Sequence, residues 1–201
     1  MALENKLGLT SSADLAREEE RIIKKKAVAL FEKSLLDQLE AGTFSSLRFI
    51  YKYLFEEIYD FAGQLRTVNI AKGNFRFAPV MYLEAALSNM EKMPQSTFAE
   101  IIEKSVEMNI AHPFPEGNGR STCIWLDLLL KAQLHQVVDW SCVDKKDYLL
   151  AMERSPIRDT EIKHVLKNAL TDEVDSRDVY RKGIDHSYYY EGYMAFKAEE
   201  L

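Results

Sequence analysis

The sequence predicts an all-α protein with one small β-hairpin. Apolar residues recur at helical spacing through most of the 201 residues. Short polar turns, several of them opened by a capping residue, separate these segments. Only the stretch from Asn69 to Pro79 combines turn chemistry with the alternation that is typical of strands. The length and the 47% hydrophobic content are sufficient for one domain with its own core.

The first two helices are expected before residue 63. Ser11 and Asp14 form a capping-box pattern before a charged helix that runs to about Lys33. Thr43 can cap the next helix, and Gly63 marks the point by which it has ended. The buried stripe of that helix follows helical spacing: Leu47, Ile50, Tyr51, Leu54, Phe55 and Ile58.

The hairpin and two further helices follow. Residues 72–74 have turn chemistry, and residues 75–77 alternate as a strand does. Pro79 suits the first turn of a helix that Pro94 breaks. The next helix has a capping box at Thr97 and Glu100 and should stop near residue 111, since a proline follows at 113.

The second half is expected to be helical throughout. A helix around residues 124–130 is apolar on most sides, which predicts a central position in the core. Amphipathic segments continue at about 145–154, 159–170 and 175–182. Gly183 is expected to separate them from a last helix near residues 187–197.

Composition excludes several classes of partner. The net charge of −6 argues against a nucleic-acid backbone, which requires a basic surface. Cys123 and Cys142 have no metal-ligand spacing, so a reducing cytoplasm is the expected location. The segment Met1–Thr10 is neither a signal peptide nor a membrane span, and no other stretch is apolar enough to cross a bilayer.

Residues 112–120, His-Pro-Phe-Pro-Glu-Gly-Asn-Gly-Arg, combine groups that can bind phosphates. Gly117 and Gly119 permit a tight turn and close approach of the backbone. The turn opens into a helix, whose free amide groups and dipole favour an anion. Arg120 adds a planar charge suited to phosphate oxygens. The pattern of a P-loop is absent.

Two further residues of this segment can take part in chemistry. Glu116 is a hard oxygen ligand of the kind that Mg²⁺ accepts when it is bound to phosphates. His112 titrates near neutrality and can accept a proton from an alcohol. The alternative is a plain interhelix turn with a structural histidine, which is the commoner role for any one of these residues alone.

The segment resembles the Fic family signature, HxFx[DE]GNGRxxR, at every position through Arg120. Residues 54–66 also resemble the upstream pattern LFxxxYxxAGxxR of this family, and the hairpin lies where the family has its flap. The resemblance covers roughly residues 43–193. It implies a helical bundle with an N-terminal extension at 1–42, a Fic core at 43–183 with the flap at 69–78, and an inhibitory helix at 184–201.

The resemblance implies a protein adenylyltransferase. His112 would deprotonate a Tyr, Ser or Thr hydroxyl of a target protein, which attacks the α-phosphorus of ATP and expels pyrophosphate. Glu116 would hold Mg²⁺ on the phosphates. The anion hole would consist of Gly117, Asn118, Gly119 and Arg120. Positioning and charge neutralisation are what such a transfer requires.

The resemblance also assigns a docking role to the flap, which in this family aligns the target by strand addition. The residues concerned are Lys72, Gly73, Asn74, Phe75, Arg76 and Phe77. The alternative is a surface hairpin without a partner. The target protein is not readable from the sequence; topoisomerase subunits are targets of some small bacterial members. Members of this subgroup often self-associate.

The C-terminal segment 187–192 resembles the inhibitory motif [ST]xxxE[GN]. Ser187 and Glu191 share one helical face, and Glu191 would block the γ-phosphate of ATP. Tyr188 and Tyr193 are candidates for self-modification, because the terminal helix of this subgroup carries such sites. The alternative is an aromatic helix that only packs on the core.

The sequence departs from the family at Cys123, where the motif has a second arginine that binds the γ-phosphate. The loss of such a charge-assisted contact costs about 1.5–3 kcal/mol. An attenuated transferase, a different nucleotide donor and a nucleotide-binding module without activity therefore stay open. So does removal of AMP from a modified protein, with Glu191 positioning water.

Overall fold

The computed structural model describes residues 2–73, 75–191 and 195–200, and the side chains of all these except residues 189–191 and 200. Helices dominate these ranges, which confirms the predicted all-α class. They are α1 (Ser12–Glu32), α2 (Phe44–Phe55), α3 (Leu83–Glu91), α4 (Phe98–Ala111), α5 (Asn118–Leu134), α6 (Lys145–Arg154), α7 (Thr160–Lys167) and α8 (Arg177–Glu191).

Two short antiparallel strand pairs accompany the helices. The predicted hairpin consists of β1 (Ala71–Lys72) and β2 (Phe75–Arg76). A second pair joins β3 (Val137–Val138) to β4 (Leu170–Thr171). The sequence did not predict this pair, because two-residue strands from distant segments leave no alternation to detect.

The predicted capping residues are in place, although the capping box expected at Ser11 and Asp14 shows only one of its two hydrogen bonds among those described. The Ser11 Oγ accepts a hydrogen bond from the amide of Asp14 at 3.3 Å, and Thr43 caps α2 through the amide of Ser46. Both halves of the capping box at Thr97 form at the start of α4. These side chains fix where three of the helices begin, because each satisfies an amide that has no partner within the helix.

The prediction that Gly183 separates two helices was wrong. Gly183 lies inside α8, which continues to Glu191. A Cβ atom at this position would lie 3.0 Å from Cδ1 of Trp140. The glycine therefore allows close packing between α8 and the Trp140 ring, and its cost in helix propensity, about 1 kcal/mol, is small enough for packing to override.

Helix α5 is the central element, as its apolar composition predicts. It packs against α2, α4 and α8, and α1 in turn packs against α2 and α8. The α5 residues Trp125, Leu129 and Leu130 have no exposed surface. The residues at the start of α5 are mostly buried as well. Within the described part of the chain, no helix has the length and apolarity to cross a membrane.

Candidate active site

The turn between α4 and α5 contains two residues in the left-handed conformation. His112 (φ 46°) ends α4, and Gly117 (φ 72°) immediately precedes α5. A Cβ atom at Gly117 would lie 2.2 Å from Cζ of Phe55. Both backbone conformation and space therefore require glycine at 117.

The middle of this turn is fixed by packing and by a side-chain bridge. Phe114 is fully buried and stacks on Tyr51 with 3.7 Å between ring centroids. Asn118 donates from Nδ2 to the carbonyl of Phe114 at 2.8 Å, and its Oδ1 accepts from the Phe114 amide at 2.9 Å. The Asn118 side chain thus holds the loop in place.

The open end of α5 has the geometry of an anion site. The first amides of a helix have no acceptor within the helix, and the dipole makes this end positive. Outside the backbone of α5 itself, no atom of the described residues would lie within 4 Å of a Cβ atom at Gly119. Packing against the described residues therefore does not require glycine there, which suits close approach of a ligand to the backbone.

His112 is held as a neutral base. Burial lowers the pKa of the imidazole from 6.5 to about 4, although the nearby carbonyl of Asn109 opposes this shift. Nδ1 lies 3.3 Å from that carbonyl oxygen. If Nδ1 carries the proton that this contact requires, Nε2 has the free electron pair. The Phe77 ring of the flap stacks on the imidazole at 3.7 Å between centroids.

Arg120 is an interior residue, with an exposed fraction of 4%. One terminal nitrogen forms an ion pair with Glu19 of α1, and the other lies 3.3 Å from Oε1 of Glu116. The guanidinium also lies 5.2 Å from the ring centroids of both Phe55 and Tyr188. The structure therefore links the N-terminal helix to the motif through a buried charge.

Sequence reasoning missed Glu19. It lies in the acidic run 18–20, which is normally a solvated helix face, yet Glu19 is 7% exposed and also accepts a hydrogen bond from the hydroxyl of Tyr59. No motif marks it, and its role depends on how α1 packs against α2 and α5. Segment 1–42 is thus in direct contact with the candidate site.

The flap residues lie at the surface beside His112. Lys72, Gly73 and Arg76 are exposed, and Phe75 and Phe77 are half-buried. The two phenylalanine rings contact each other edge to face, at 4.9 Å between centroids. Asn74 lies outside the described residues. The two rings thus pack on each other, and the Phe77 ring also packs on His112.

Helix α8 places the predicted inhibitory segment near the start of α5. Ser187 and Tyr188 are buried, and the Tyr188 hydroxyl lies 3.4 Å from a terminal nitrogen of Arg120. The backbone of Glu191 belongs to α8, one helical turn beyond Ser187. The side chain of Glu191 and all of Tyr193 lie outside the described residues.

A buried ionic cluster fixes the chain beyond α8 to α1. Lys24 has no exposed surface, and its Nζ lies 2.9 Å from Glu20 and 2.7 Å from Asp185. Glu20 also accepts the backbone amides of Ala195 and Phe196. No sequence pattern marks this cluster, because its members come from three separate segments.

Cys123 lies one turn after Arg120 on α5 and is half-buried. It lines a cavity together with Ser187 and Ile184 of α8 and with Arg120. Among the described residues of this lining, Arg120 has the one positive charge, and it already pairs with Glu19. The cavity wall at residue 123 is therefore neutral where the Fic signature has a cation.

Comparisons with known proteins match the part of the chain that contains this turn. Residues 42–130 match the model of the Fic/DOC family. This segment is a Fic/DOC domain. A curated relative, the probable protein adenylyltransferase y4lH of Sinorhizobium fredii, is 29% identical over 140 residues, which is 63% of this chain and 72% of that protein.

Two further matches cover most of this chain. Protein adenylyltransferase VbhT of Bartonella schoenbuchensis is 28% identical over 71% of this chain, which spans 31% of that longer protein. The crystal structure of the BepC protein of Bartonella tribocorum with bound AMPPNP superposes with a TM-score of 0.71 at 19% identity, covering 85% of this chain and 93% of that one. At this identity the structural match shows the Fic fold.

Proposed function

We propose that this chain is a protein adenylyltransferase, which transfers AMP from ATP to a hydroxyl group of a protein. One observation carries the proposal: a single rigid turn holds a neutral imidazole at one end and the open N-terminus of α5 at the other. An imidazole base beside an anion site suits attack of an alcohol on a phosphorus atom. Relatives that share the Fic domain have names that give this activity.

Glu116 is the residue that would hold Mg²⁺. Its side chain is 43% exposed, and Oε1 accepts from the amide of Gly117 at 3.0 Å. Oε2 makes none of the described contacts, so one carboxylate oxygen is available. That suits Mg²⁺, which usually takes one or two protein carboxylates beside the phosphates of its nucleotide. The ion would neutralise phosphate charge; His112 would remove the proton of the target hydroxyl.

We further propose that α8 inhibits this activity. The contact of Tyr188 with Arg120 brings the C-terminal end of α8 beside the first turn of α5. Glu191 is three residues beyond Tyr188, about 4.5 Å along the helix axis, and a carboxylate there would compete with nucleotide phosphates. Because Tyr188 is 2% exposed, its self-modification requires α8 to undock.

The direct test uses purified protein, Mg²⁺ and ATP labelled on either the α- or the γ-phosphate. We expect protein-bound α-label and no γ-label, stronger labelling with Glu191→Gly and none with His112→Ala. Mass spectrometry of the products identifies self-modified tyrosines. Absence of α-label from both the unaltered chain and Glu191→Gly at high ATP would refute the transferase proposal.

The same reagents separate the alternatives. Nucleotide binding that is equal in the unaltered protein and His112→Ala, without transfer, would identify a binding module. Transfer of the γ-label would identify a phosphotransferase. Release of AMP from a target that was modified beforehand would identify the reverse reaction, in which Glu191 positions water.

A further inference from the structure

Arg66 lies between the flap and the turn that contains His112, and it is 2% exposed. It donates hydrogen bonds to three consecutive carbonyl oxygens, those of residues 111–113. Nη2 donates to Ala111 at 3.1 Å, Nε donates to His112 at 2.8 Å, and the backbone amide of Arg66 donates to Pro113 at 2.9 Å. One residue thus fixes the backbone on both sides of the proposed base.

The same guanidinium also holds both ends of the flap hairpin. Nη1 donates to the carbonyl of Val68 before β1, at 2.8 Å, and Nη2 donates to the carbonyl of Ala78 after β2. The amide of Ala78 in turn donates to the carbonyl of Ile110 at 2.8 Å. Through these bonds the flap and the catalytic turn share one buried anchor.

The chemistry of Arg66 suits this purpose and few others. A buried cation is costly unless it is paired or fully hydrogen-bonded, and each described contact of this side chain is with a carbonyl oxygen. The planar guanidinium offers five donors in fixed directions, which a lysine ammonium cannot reproduce. Arg66 also holds the backbone of a strained residue, since His112 has a φ of 46° that non-glycine residues seldom adopt.

We propose that Arg66 is a positioning residue, which holds the target-docking hairpin and the His112 imidazole in one fixed relation. This inference rests on the proposed transferase function. When a target segment lies along the flap, the anchor at Arg66 determines where its hydroxyl meets the imidazole. Loss of the anchor should therefore reduce the rate of transfer more than the binding of ATP, whose phosphates contact the start of α5.

The test compares Arg66→Gln and Arg66→Lys with the matched control Arg48→Gln. Arg48 also donates to a loop carbonyl, that of Gly63 at 2.8 Å, and it has no described hydrogen bond or ion pair with the flap or the catalytic turn. For Arg66→Gln we expect amide hydrogen exchange over residues 68–78 to accelerate at least about tenfold. We expect the transfer rate in the Glu191→Gly background to fall about 100-fold, and the ATP half-saturation to change less than about twofold.

Arg66→Lys should show the same changes to a smaller extent, and Arg48→Gln should behave as the unaltered chain. The imidazole signal of His112 is assigned by its loss in His112→Ala. In both Arg66 variants, the midpoint of its titration should differ from that in the unaltered chain. If Arg66→Gln retains the flap protection and transfer rate of Arg48→Gln, the proposal is wrong. Equal acceleration of exchange in the flap, α2 and α5 would also overturn it, because it would show general loosening of the fold.

The failure of this proposal is distinct from failure of the transferase proposal. If neither the unaltered chain nor Glu191→Gly transfers AMP, the proposed function fails, while hydrogen exchange and the imidazole titration still decide the role of Arg66. If Arg66→Gln does not fold, Arg66→Lys is judged by the same measurements against the same control.

Discussion

Replacement of Lys24 by methionine should destabilise the protein strongly and release the C-terminal segment. The Lys24 ammonium has no exposed surface and lies between the carboxylates of Glu20, which is also buried, and Asp185. Methionine fills a similar volume but leaves two carboxylates without their cation. Removal of one partner from a buried ion pair costs about 3–5 kcal/mol, because the remaining charge is buried and uncompensated.

Lys26 provides the matched control, two residues away on the same helix. Its ammonium also bridges two carboxylates, Glu56 and Glu57, each at 3.0 Å. Those carboxylates are 43% and 62% exposed, so water can solvate them when the lysine is removed. Lys26→Met should therefore lower the free energy of unfolding by about 1 kcal/mol or less.

The measurement is urea unfolding of both variants, followed by fluorescence and circular dichroism. For a chain of this size, a loss of about 3–5 kcal/mol lowers the Tm by roughly 6–20 °C. In the same variant, hydrogen exchange along 177–191 should accelerate and AMP labelling should rise towards that of Glu191→Gly. Equal free energies of unfolding for Lys24→Met and Lys26→Met would refute the reasoning, since burial would then make no difference.

Three further predictions concern the turn between α4 and α5 and the start of α5. Gly117→Ala should abolish folding of the turn and with it nucleotide binding, because its Cβ would overlap the Phe55 ring. Gly119→Ala should leave the Tm nearly unchanged and weaken only nucleotide binding. Calorimetry measures the Tm of each variant, and nucleotide titration measures its binding. The pKa of His112 is lowered to about 4 from 6.5, so the folded state binds fewer protons between these values. The free energy of unfolding should therefore fall as the pH drops from about 6.5 to 4, with no contribution above 6.5, and denaturation of His112→Ala across this range should lack that slope. Cys123→Arg should raise the transfer rate once the inhibitory glutamate is removed; an unchanged rate would show that residue 123 does not face the phosphates.

The local features of the fold followed directly from the sequence. Helix starts at Ser11, Thr43 and Thr97 are decided by hydrogen bonds within three residues, so a short pattern is sufficient to place them. Gly183 shows the limit of such patterns. Its local preference indicates a break, but contact with Trp140 of a separate segment made glycine the residue that fits inside α8.

In the candidate site, too, some features follow from the sequence and others only from the tertiary structure. The chain order of residues 112–120 determined the turn, the helix N-terminus and the position of the proposed base, because a tight turn keeps neighbours in sequence close in space. Only the tertiary structure decided which distant residues are in contact. Glu19 forms an ion pair with Arg120, Lys24 forms one with Asp185, and Arg66 donates hydrogen bonds to both the flap and the turn. Ion pairs and hydrogen bonds between distant segments depend on how helices pack, and hydrophobic periodicity shows which face of a helix is buried but not which residues of another segment it meets.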